Sequence, residues 1–248
     1  MVNVVKKTGK CGLLELICPS RCRGCGELGD VLCGCCKNDI LMDYVNRCPK
    51  CLREINGKCD KCKLPFLFSY MVGFRGDIVG QMVQEFKFFG IRSYGDKIAE
   101  IIDEVVPKIE GEIVLVPLPT ISKHIRERGV DHTLYMVKKL AKLRGWKVEQ
   151  VLIRNKNTVQ IGSDAVTRKM QAREAYKMSP KCKIRKDVTY ILVDDVWTTG
   201  ASMLEAEKIL HSEGVENVGC IVVVSAKLAL DATGCTNGTN NEIDYSKC

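Results

Sequence analysis

The chain has 248 residues, 46% of them hydrophobic, with a formal net charge of +8. This length allows one full α/β core with a small appended module. No stretch reaches the roughly 18 to 20 apolar residues of a membrane helix, and Glu15 interrupts the apolar run near the N-terminus. We therefore expect a soluble, cytoplasmic protein without a membrane span or signal peptide.

The cysteines are concentrated in one region. Of fifteen, eleven lie between Cys11 and Cys62, and the total is odd. This crowding favours metal binding in a reducing compartment over a disulfide scaffold. Eight thiolates on two Zn²⁺ ions would lower the net charge by about 4, to roughly +4. The remaining positive charge permits a phosphate-bearing partner such as nucleic acid, although scattered Lys and Arg more often form a solvated face.

Four Cys-x-x-Cys knuckles follow one another, and the second two repeat the first two at an offset of 26 residues. Such a repeat indicates an internal duplication. The seven-residue spacers suit hairpins, with turn residues at Gly26, Gly29 and Asn56-Gly57. A double zinc ribbon in residues 1–66 is predicted, because Zn²⁺ prefers four soft ligands in a tetrahedron. The predicted ligands are Cys22, Cys25, Cys33, Cys36, Cys48, Cys51, Cys59 and Cys62.

The spacing leaves the pairing of the knuckles open. Two sequential Cys₄ groups are the favoured interpretation, but pairing of the first knuckle with the third also fits. Unliganded or redox-active cysteines are a further alternative. The segment has too few apolar residues to fold alone, so metal binding would supply its folding energy.

From about Leu64 the sequence alternates between strand and helix patterns. This alternation implies a mostly parallel sheet with helices on both faces. We expect this α/β domain to cover residues 67–230, followed by a disordered tail at 231–248. The patterns predict strands at 70–74, 112–116, 148–153, 188–193 and 218–224, helices at 78–89, 98–106, 134–143 and 202–211, and a polar stretch at 154–186.

The most informative segment is 190–202, an apolar strand that leads into Asp194-Asp195 and then a Thr-Thr-Gly turn. Ligands of parallel sheets bind beyond the carboxyl ends of the strands. A helix that starts after a glycine turn offers free N–H groups and a positive dipole end to a phosphate. The carboxylates should then face a hydroxyl-bearing part of the ligand. An ordinary strand-to-helix turn with an acidic cap is the alternative.

This strand, acidic pair and turn resemble the signature of type I phosphoribosyltransferases for 5-phosphoribosyl-1-pyrophosphate (PRPP). The resemblance implies the type I phosphoribosyltransferase fold and PRPP binding with Mg²⁺. It also implies Asp194 and Asp195 on the ribose hydroxyls. The residues implied around the 5′-phosphate are Thr198, Thr199, Gly200, Ala201 and Ser202, and Val196 is implied in PRPP binding as well.

The order of motifs is similar to that of the competence protein ComF family. The matching features are the paired knuckles, Lys87 in Glu85-Phe-Lys-Phe, Val116-Pro-Leu-Pro119 followed by Arg126-x-Arg128-Gly129, and Arg154, Gln160 and Arg168 before Ala175-Tyr176. Where the family usually has Gly-Phe-Asn-Gln, this chain has Gly129-Val-Asp-His132.

The ComF resemblance implies a role for each matching motif. Pro117 and Leu118 would lie in the pyrophosphate loop, and Lys87 would bind PRPP. Arg126 and Arg128 would act with the acidic pair in catalysis by neutralising pyrophosphate charge, although single arginines are often merely solvated. The stretch that holds Arg154, Gln160 and Arg168 would be a flap that excludes water from the sugar.

Two functions follow from these resemblances. The first is a PRPP-binding protein of DNA uptake in natural transformation, with single-stranded DNA and a helicase-like protein as partners. With 6% aromatic residues, its DNA contacts should be mainly to phosphates. The alternative is an enzyme that transfers phosphoribosyl to an undetermined acceptor in nucleotide or related metabolism and releases pyrophosphate. A third hypothesis, a zinc docking module beside a degenerate domain, is disfavoured by the intact Asp194-Asp195 motif.

Overall fold

The structure is a computed structural model that describes residues 19–155 and 176–227. Gln160, Arg168 and the predicted tail at 231–248 lie outside the described residues. None of the helices within the described ranges is both long and apolar enough to cross a membrane.

Within the described ranges, a five-stranded sheet forms the centre of the fold. Its strand order is β1-β7-β6-β2-β3, and every neighbouring pair is parallel. Strands β4 and β5 form a separate antiparallel pair. The strands are β1 (Ser69–Phe74), β2 (Ile113–Pro117), β3 (Lys147–Val148), β4 (Leu152–Arg154), β5 (Tyr176–Met178), β6 (Thr189–Trp197) and β7 (Val218–Ser225). The helices are α1 (Gly34–Met42), α2 (Ile78–Phe89), α3 (Arg92–Val105), α4 (Ser122–Arg128), α5 (His132–Arg144) and α6 (Ala201–Ser212).

Helices cover both faces of this sheet, as parallel sheets require. On β6, Ile191 and Val193 are fully buried against the apolar stripes of α2, α3 and α5. Tyr190 and Leu192 alternate with them and are fully buried on the other face, beneath α6. The period-two alternation of the strand thus supplies two separate cores.

Most predicted elements are present, but the predicted strand at 148–153 is wrong. The chain pairs with β2 only at Lys147–Val148, and Leu152–Arg154 then pairs with β5 instead. The polar Glu149-Gln150 step separates the two pieces. Strand β5 itself lies inside the stretch at 154–186, for which no strand was predicted.

Two further boundaries differ from the sequence prediction. Helix α3 begins at Arg92 rather than at 98, because Tyr94 and Gly95 are already buried in its first turn. Strand β6 continues to Trp197 rather than ending at 193, since Val196 and Trp197 keep their pairing with β7. The acidic pair therefore lies within a strand and not after it.

The cysteine module packs against both cores and against the edge of the sheet. Val31 and Leu32 are buried with α2 and α3, whereas Phe66 is buried with α6. At the sheet edge, the Asn46 side chain donates to the Ser69 carbonyl at 3.1 Å and accepts from the Met71 amide at 3.3 Å. The predicted domain boundary at residues 66 and 67 is thus crossed by extensive contacts, and the domain division itself stays a prediction.

Candidate functional site

The duplication seen in the sequence recurs in the backbone of the cysteine module. The N–H of Cys22 donates to the Glu27 carbonyl at 2.8 Å, and 26 residues later that of Cys48 donates to the Arg53 carbonyl at the same distance. Antiparallel bridges between residues 21 and 28 and between residues 47 and 54 follow the same offset. Both halves are therefore short hairpins of one design.

The sulfur atoms of each half converge on one point. All four sulfurs of the first half lie within 4.8 Å of one another, and so do all four of the second half. Cys25 and Cys33 have sulfurs 3.7 Å apart, as do Cys51 and Cys59. Tetrahedral zinc with Zn–S bonds of about 2.3 Å requires a sulfur separation of about 3.8 Å. Each group thus fits one Zn²⁺, and the interleaved pairing is wrong.

The two adjacent aspartates of β6 point to opposite faces of the sheet, as successive strand residues do. Asp195 is only 7% exposed and contacts helices α2 and α5. Asp194 is partly exposed and lies beside the start of α6. The amide of Asp195 donates to Oδ1 of Asp194 at 2.9 Å, so the backbone links the two carboxylates.

Asp195 accepts from two cation-forming side chains at one oxygen, Oδ2. The Nζ of Lys87 lies 2.8 Å away and the Nε2 of His132 lies 2.5 Å away. Burial alone would raise the pKa of Asp195, but the His132 hydrogen bond and the Lys87 charge hold it well below the usual carboxyl range. The ion pair with Lys87 favours an ionised Asp195, and towards an ionised carboxylate Nε2 of His132 is the donor.

His132 leaves its other ring nitrogen unpaired. Nδ1 is buried and has no hydrogen-bond partner among the described residues. Such an atom costs about 1 to 3 kcal/mol, so the ring is held here by its other contacts. One is an edge-on packing against Phe86, with ring centroids 6.1 Å apart.

Asp194 has a different environment. Burial and the negative charge of Asp195 raise its pKa above the usual carboxyl range. It lines a small cavity of about 30 Å³ together with Thr198, Gly200 and Ser202, which is room for about one water. Of the two carboxylates, Asp194 is the one that faces the predicted phosphate turn.

The turn itself is shaped by Gly200, which has a left-handed φ of 77°. A Cβ at this position would lie 2.1 Å from the Trp197 ring. The amides of Ser202 and Met203 in the first turn of α6 have no partner among the described residues, whereas Thr199 Oγ1 accepts from that of Ala201 at 3.3 Å. Free amides at a helix N-terminus are suited to a phosphate.

The β4–β5 pair lies beside this cavity. The Arg154 guanidinium packs 5.3 Å from the centroid of the Tyr176 ring, and its Nε donates to the Pro119 carbonyl at 3.1 Å. Burial and the charge of Asp194 raise the pKa of Tyr176. Arg154 therefore joins the loop after β2 to Tyr176, and its predicted role in the flap stays a prediction.

The predicted pyrophosphate loop is only partly available for backbone contacts. The Leu118 amide donates to the Val193 carbonyl at 3.0 Å, and Pro117 and Pro119 have no N–H. Free amides can therefore come only from Thr120 onwards.

The two predicted arginines of α4 lie away from the acidic pair. Arg126 is exposed, and the Arg128 guanidinium packs over the Phe88 ring at 5.5 Å. Neither makes a polar contact with Asp194 or Asp195 in the part of the chain that the structure describes. The structure thus brings Lys87 to the acidic pair, but not these arginines.

Sequence reasoning missed His132 and Tyr176 as site residues. Both stand next to quoted motifs, His132 at the departure from Gly-Phe-Asn-Gln and Tyr176 after the predicted flap. The available signal for His132 was a rare histidine, one of three in the chain, at the start of a helix capped by Asp131.

Comparison with known proteins supports the same fold class. Residues 134–241 match a family model described as the phosphoribosyl transferase domain. No curated protein matches the chain. Together with the parallel sheet and the two cysteine tetrads, the domain match confirms the predicted phosphoribosyltransferase-type fold behind a Cys-rich module.

Two solved structures are among those that the chain resembles. One is the glutamine PRPP amidotransferase from B. subtilis complexed with ADP and GMP, and the other is described as the allosteric regulatory enzyme of purine biosynthesis. Each is 14% identical, with a TM-score of 0.39, over 56% of this chain. The match spans only 30% of the length of each of those proteins.

Proposed function

We propose that this protein binds PRPP, with the 5′-phosphate against the turn from Thr198 to Ser202 and the ribose hydroxyls towards Asp194. The observation that carries this proposal is the junction of β6 and α6. There a partly exposed carboxylate stands beside unpartnered helix amides on a glycine turn. The amides suit a phosphate dianion, and the carboxylate suits neighbouring hydroxyl donors.

The pyrophosphate end would lie towards the loop after β2. Lys87 is 27% exposed, so its ammonium can serve a ligand as well as Asp195. Pro117 and Leu118 would line the pyrophosphate side of the site, and the backbone amides from Thr120 onwards would donate to the pyrophosphate. Arg126 and Arg128 would have to turn towards the ligand to neutralise its charge.

The flap belongs to this proposal too. Arg154 stands at the end of β4, directly before the stretch that contains Gln160 and Arg168. Closure of that stretch over bound PRPP would keep water from the sugar carbon. In this scheme the contact between Arg154 in β4 and Tyr176 in β5 joins the two ends of the flap.

Two metals enter the proposal in different ways. Zn²⁺ in each cysteine tetrad would be structural, because all four positions are taken by protein sulfurs. Mg²⁺ would arrive with PRPP and neutralise charge on its pyrophosphate and ribose oxygens. The Asp194 carboxylate offers the oxygen chemistry that Mg²⁺ accepts, directly or through water.

As an enzyme, the protein would transfer phosphoribosyl to an acceptor. The bond between the sugar C1 and a pyrophosphate oxygen would break as the acceptor bond forms, and pyrophosphate would leave. The residues of the site would act by orientation and charge stabilisation, and no protein base is required.

A role in DNA uptake, as in the ComF family, has one structural observation in its favour. Phe88 and Phe89 at the end of α2 are 64% and 74% exposed, and Arg126 beside Arg128 adds positive charge. Exposed aromatic rings with arginines suit the stacking of single-stranded bases. In this version the protein would work in the cytoplasm with single-stranded DNA and a helicase-like partner, and PRPP would be a ligand.

One pair of assays distinguishes the two roles. Pyrophosphate release from Mg²⁺-PRPP is measured across a panel of bases and amines, and binding of labelled single-stranded DNA is measured at rising salt. Release with any acceptor supports the enzyme. DNA binding that weakens steeply with salt, and weakens further in Phe88→Ala/Phe89→Ala, supports uptake. If neither is observed, both roles are wrong.

A further inference from the structure

The Asp131-His132 pair at the start of α5 touches both halves of the proposed PRPP site. Oδ1 of Asp131 accepts from the Thr120 hydroxyl at 3.2 Å and from the Leu134 amide at 3.1 Å. Nε2 of His132 lies 2.5 Å from Asp195. The same two residues therefore connect the loop after β2, on the pyrophosphate side, with the acidic strand, on the ribose side.

The link continues from Asp195 to the carboxylate that faces the ligand. The Asp195 side chain is fixed by His132 and Lys87 from the side of α2 and α5. Its own amide then donates to Oδ1 of Asp194 at 2.9 Å. Fixing the Asp195 side chain thereby fixes the donor that orients Asp194.

We propose that Asp131 and His132 are positioning residues that tie the pyrophosphate loop to the ribose carboxylate, with Asp195 as the anchor between them. The inference rests on the proposed function. It assigns different roles to the two aspartates, because Asp194 faces the ligand whereas Asp195 is occupied by His132 and Lys87.

The burial of these groups supports a fixed geometry. His132 and Asp195 both have side chains at least nine-tenths buried. The His132 ring is further packed against Phe86 and cannot swing into solvent without breaking that contact. Short contacts between buried groups are of the kind that orients functional residues in other sites.

The test compares three variants by titration calorimetry with Mg²⁺. His132→Gln keeps an N–H donor towards Asp195, whereas His132→Ala removes it. Thr120→Val is isosteric and removes the hydroxyl that donates to Asp131. Lys138→Ala, an exposed change on the same helix, is the matched control. The ligands are PRPP, ribose 5-phosphate and inorganic pyrophosphate, each titrated separately.

His132→Ala is expected to weaken binding of PRPP and of ribose 5-phosphate about tenfold or more, the usual effect of losing an orienting partner. His132→Gln should restore both to within about threefold, because a neutral hydrogen bond suffices to hold the anchor. Thr120→Val should weaken binding of PRPP and pyrophosphate but leave ribose 5-phosphate unchanged. A purely structural role would instead lower the melting temperature and affect all ligands alike.

The outcomes separate this inference from the proposed function. If the wild-type protein binds no PRPP, the proposed function is wrong and the inference falls with it. If the wild type binds PRPP but His132→Ala binds it equally well, the function stands and the inference is overturned. It is also overturned if His132→Gln is as weak as His132→Ala, or if Thr120→Val weakens ribose 5-phosphate as much as pyrophosphate.

Discussion

The second cysteine ribbon and the β6–α6 turn are both proposed sites for a charged ligand, but they are built in opposite ways. In the ribbon the ligating residues are themselves core residues, since Cys48 is 0% exposed and packs in the cluster beneath α6. At the turn, the groups that face the ligand lie outside the core, and Gly200 packs against the buried ring of Trp197. Metal would therefore hold the fold together in the first region, whereas in the second the fold would hold the ligand site in place.

This comparison predicts its largest effect for Cys48→Ser. Structural Zn²⁺ contributes on the order of 10 kcal/mol to the folding of small metal domains. Because Cys48 is buried, loss of the metal would also disturb the packing of the core around it. We expect failure to fold, or a loss of several kcal/mol, with at most one zinc bound per chain. Zinc content and thermal unfolding measure this. The control is Cys35→Ser, an exposed cysteine outside both tetrads, and an equal result for the two variants would contradict the comparison.

The next effect concerns the anchor of the acidic pair. Asp195→Ala leaves Lys87 and His132 without their carboxylate, and breaking a buried pair from one side costs about 3 to 5 kcal/mol. Asp96→Ala is the matched control, because its ion pair with Lys139 at 2.9 Å is exposed and should contribute less than about 1 kcal/mol. Chemical denaturation of both variants gives the comparison. Similar losses would show that Asp195 does not anchor the strand.

A smaller loss of stability is expected where Gly200 in the turn packs against Trp197. Gly200→Ala should cost about 2 to 4 kcal/mol, since a strained φ and a clash with Trp197 add together. Gly145→Ala is the control, because Gly145 has a similar φ of 69° with open space around its Cβ. That variant should lose only about 1 kcal/mol. Equal losses in denaturant midpoints would mean that the Trp197 contact is unimportant.

The last effect is a change of stability with pH. The pKa of Asp194 is raised in the folded protein. Its contribution to the free energy of unfolding is therefore full below the ordinary carboxyl pKa of about 4 and is lost as pH rises through the raised value. Asp194→Asn cannot ionise. The stability of this variant relative to the wild type should therefore increase steadily from pH 4 upwards, until the pH passes the raised pKa of Asp194. Unfolding midpoints measured from pH 4 to 8 test the sign, and a variant that loses stability relative to the wild type as pH rises would contradict it.

Much of this comparison was predictable from local sequence. The 26-residue repeat of the knuckles indicated the two ribbons, and the segment that leads into Thr198-Thr199-Gly200 predicted a strand, a turn and a helix start. Both depend on residues close together in the chain, where spacing and turn chemistry decide the structure.

The rest depended on contacts between distant residues. One partner of Asp195 is His132, 63 positions away, and no local pattern connects them. The orientation of the acidic pair was also missed, because the sequence placed the end of β6 at residue 193. Once the strand continues to Trp197, its alternation sends Asp194 and Asp195 to opposite faces, which the adjacent carboxylates alone did not indicate.

The central claim, that Asp194 and the turn before α6 grip a sugar phosphate, is tested most directly by calorimetric titration of Mg²⁺-PRPP. The account predicts binding of one PRPP per chain to the wild-type protein, and a loss of about a hundredfold or more in Asp194→Ala, since charge-assisted contacts of this kind contribute about 1.5 to 3 kcal/mol each. The absence of binding to the wild type, or equal binding by the variant, would contradict it.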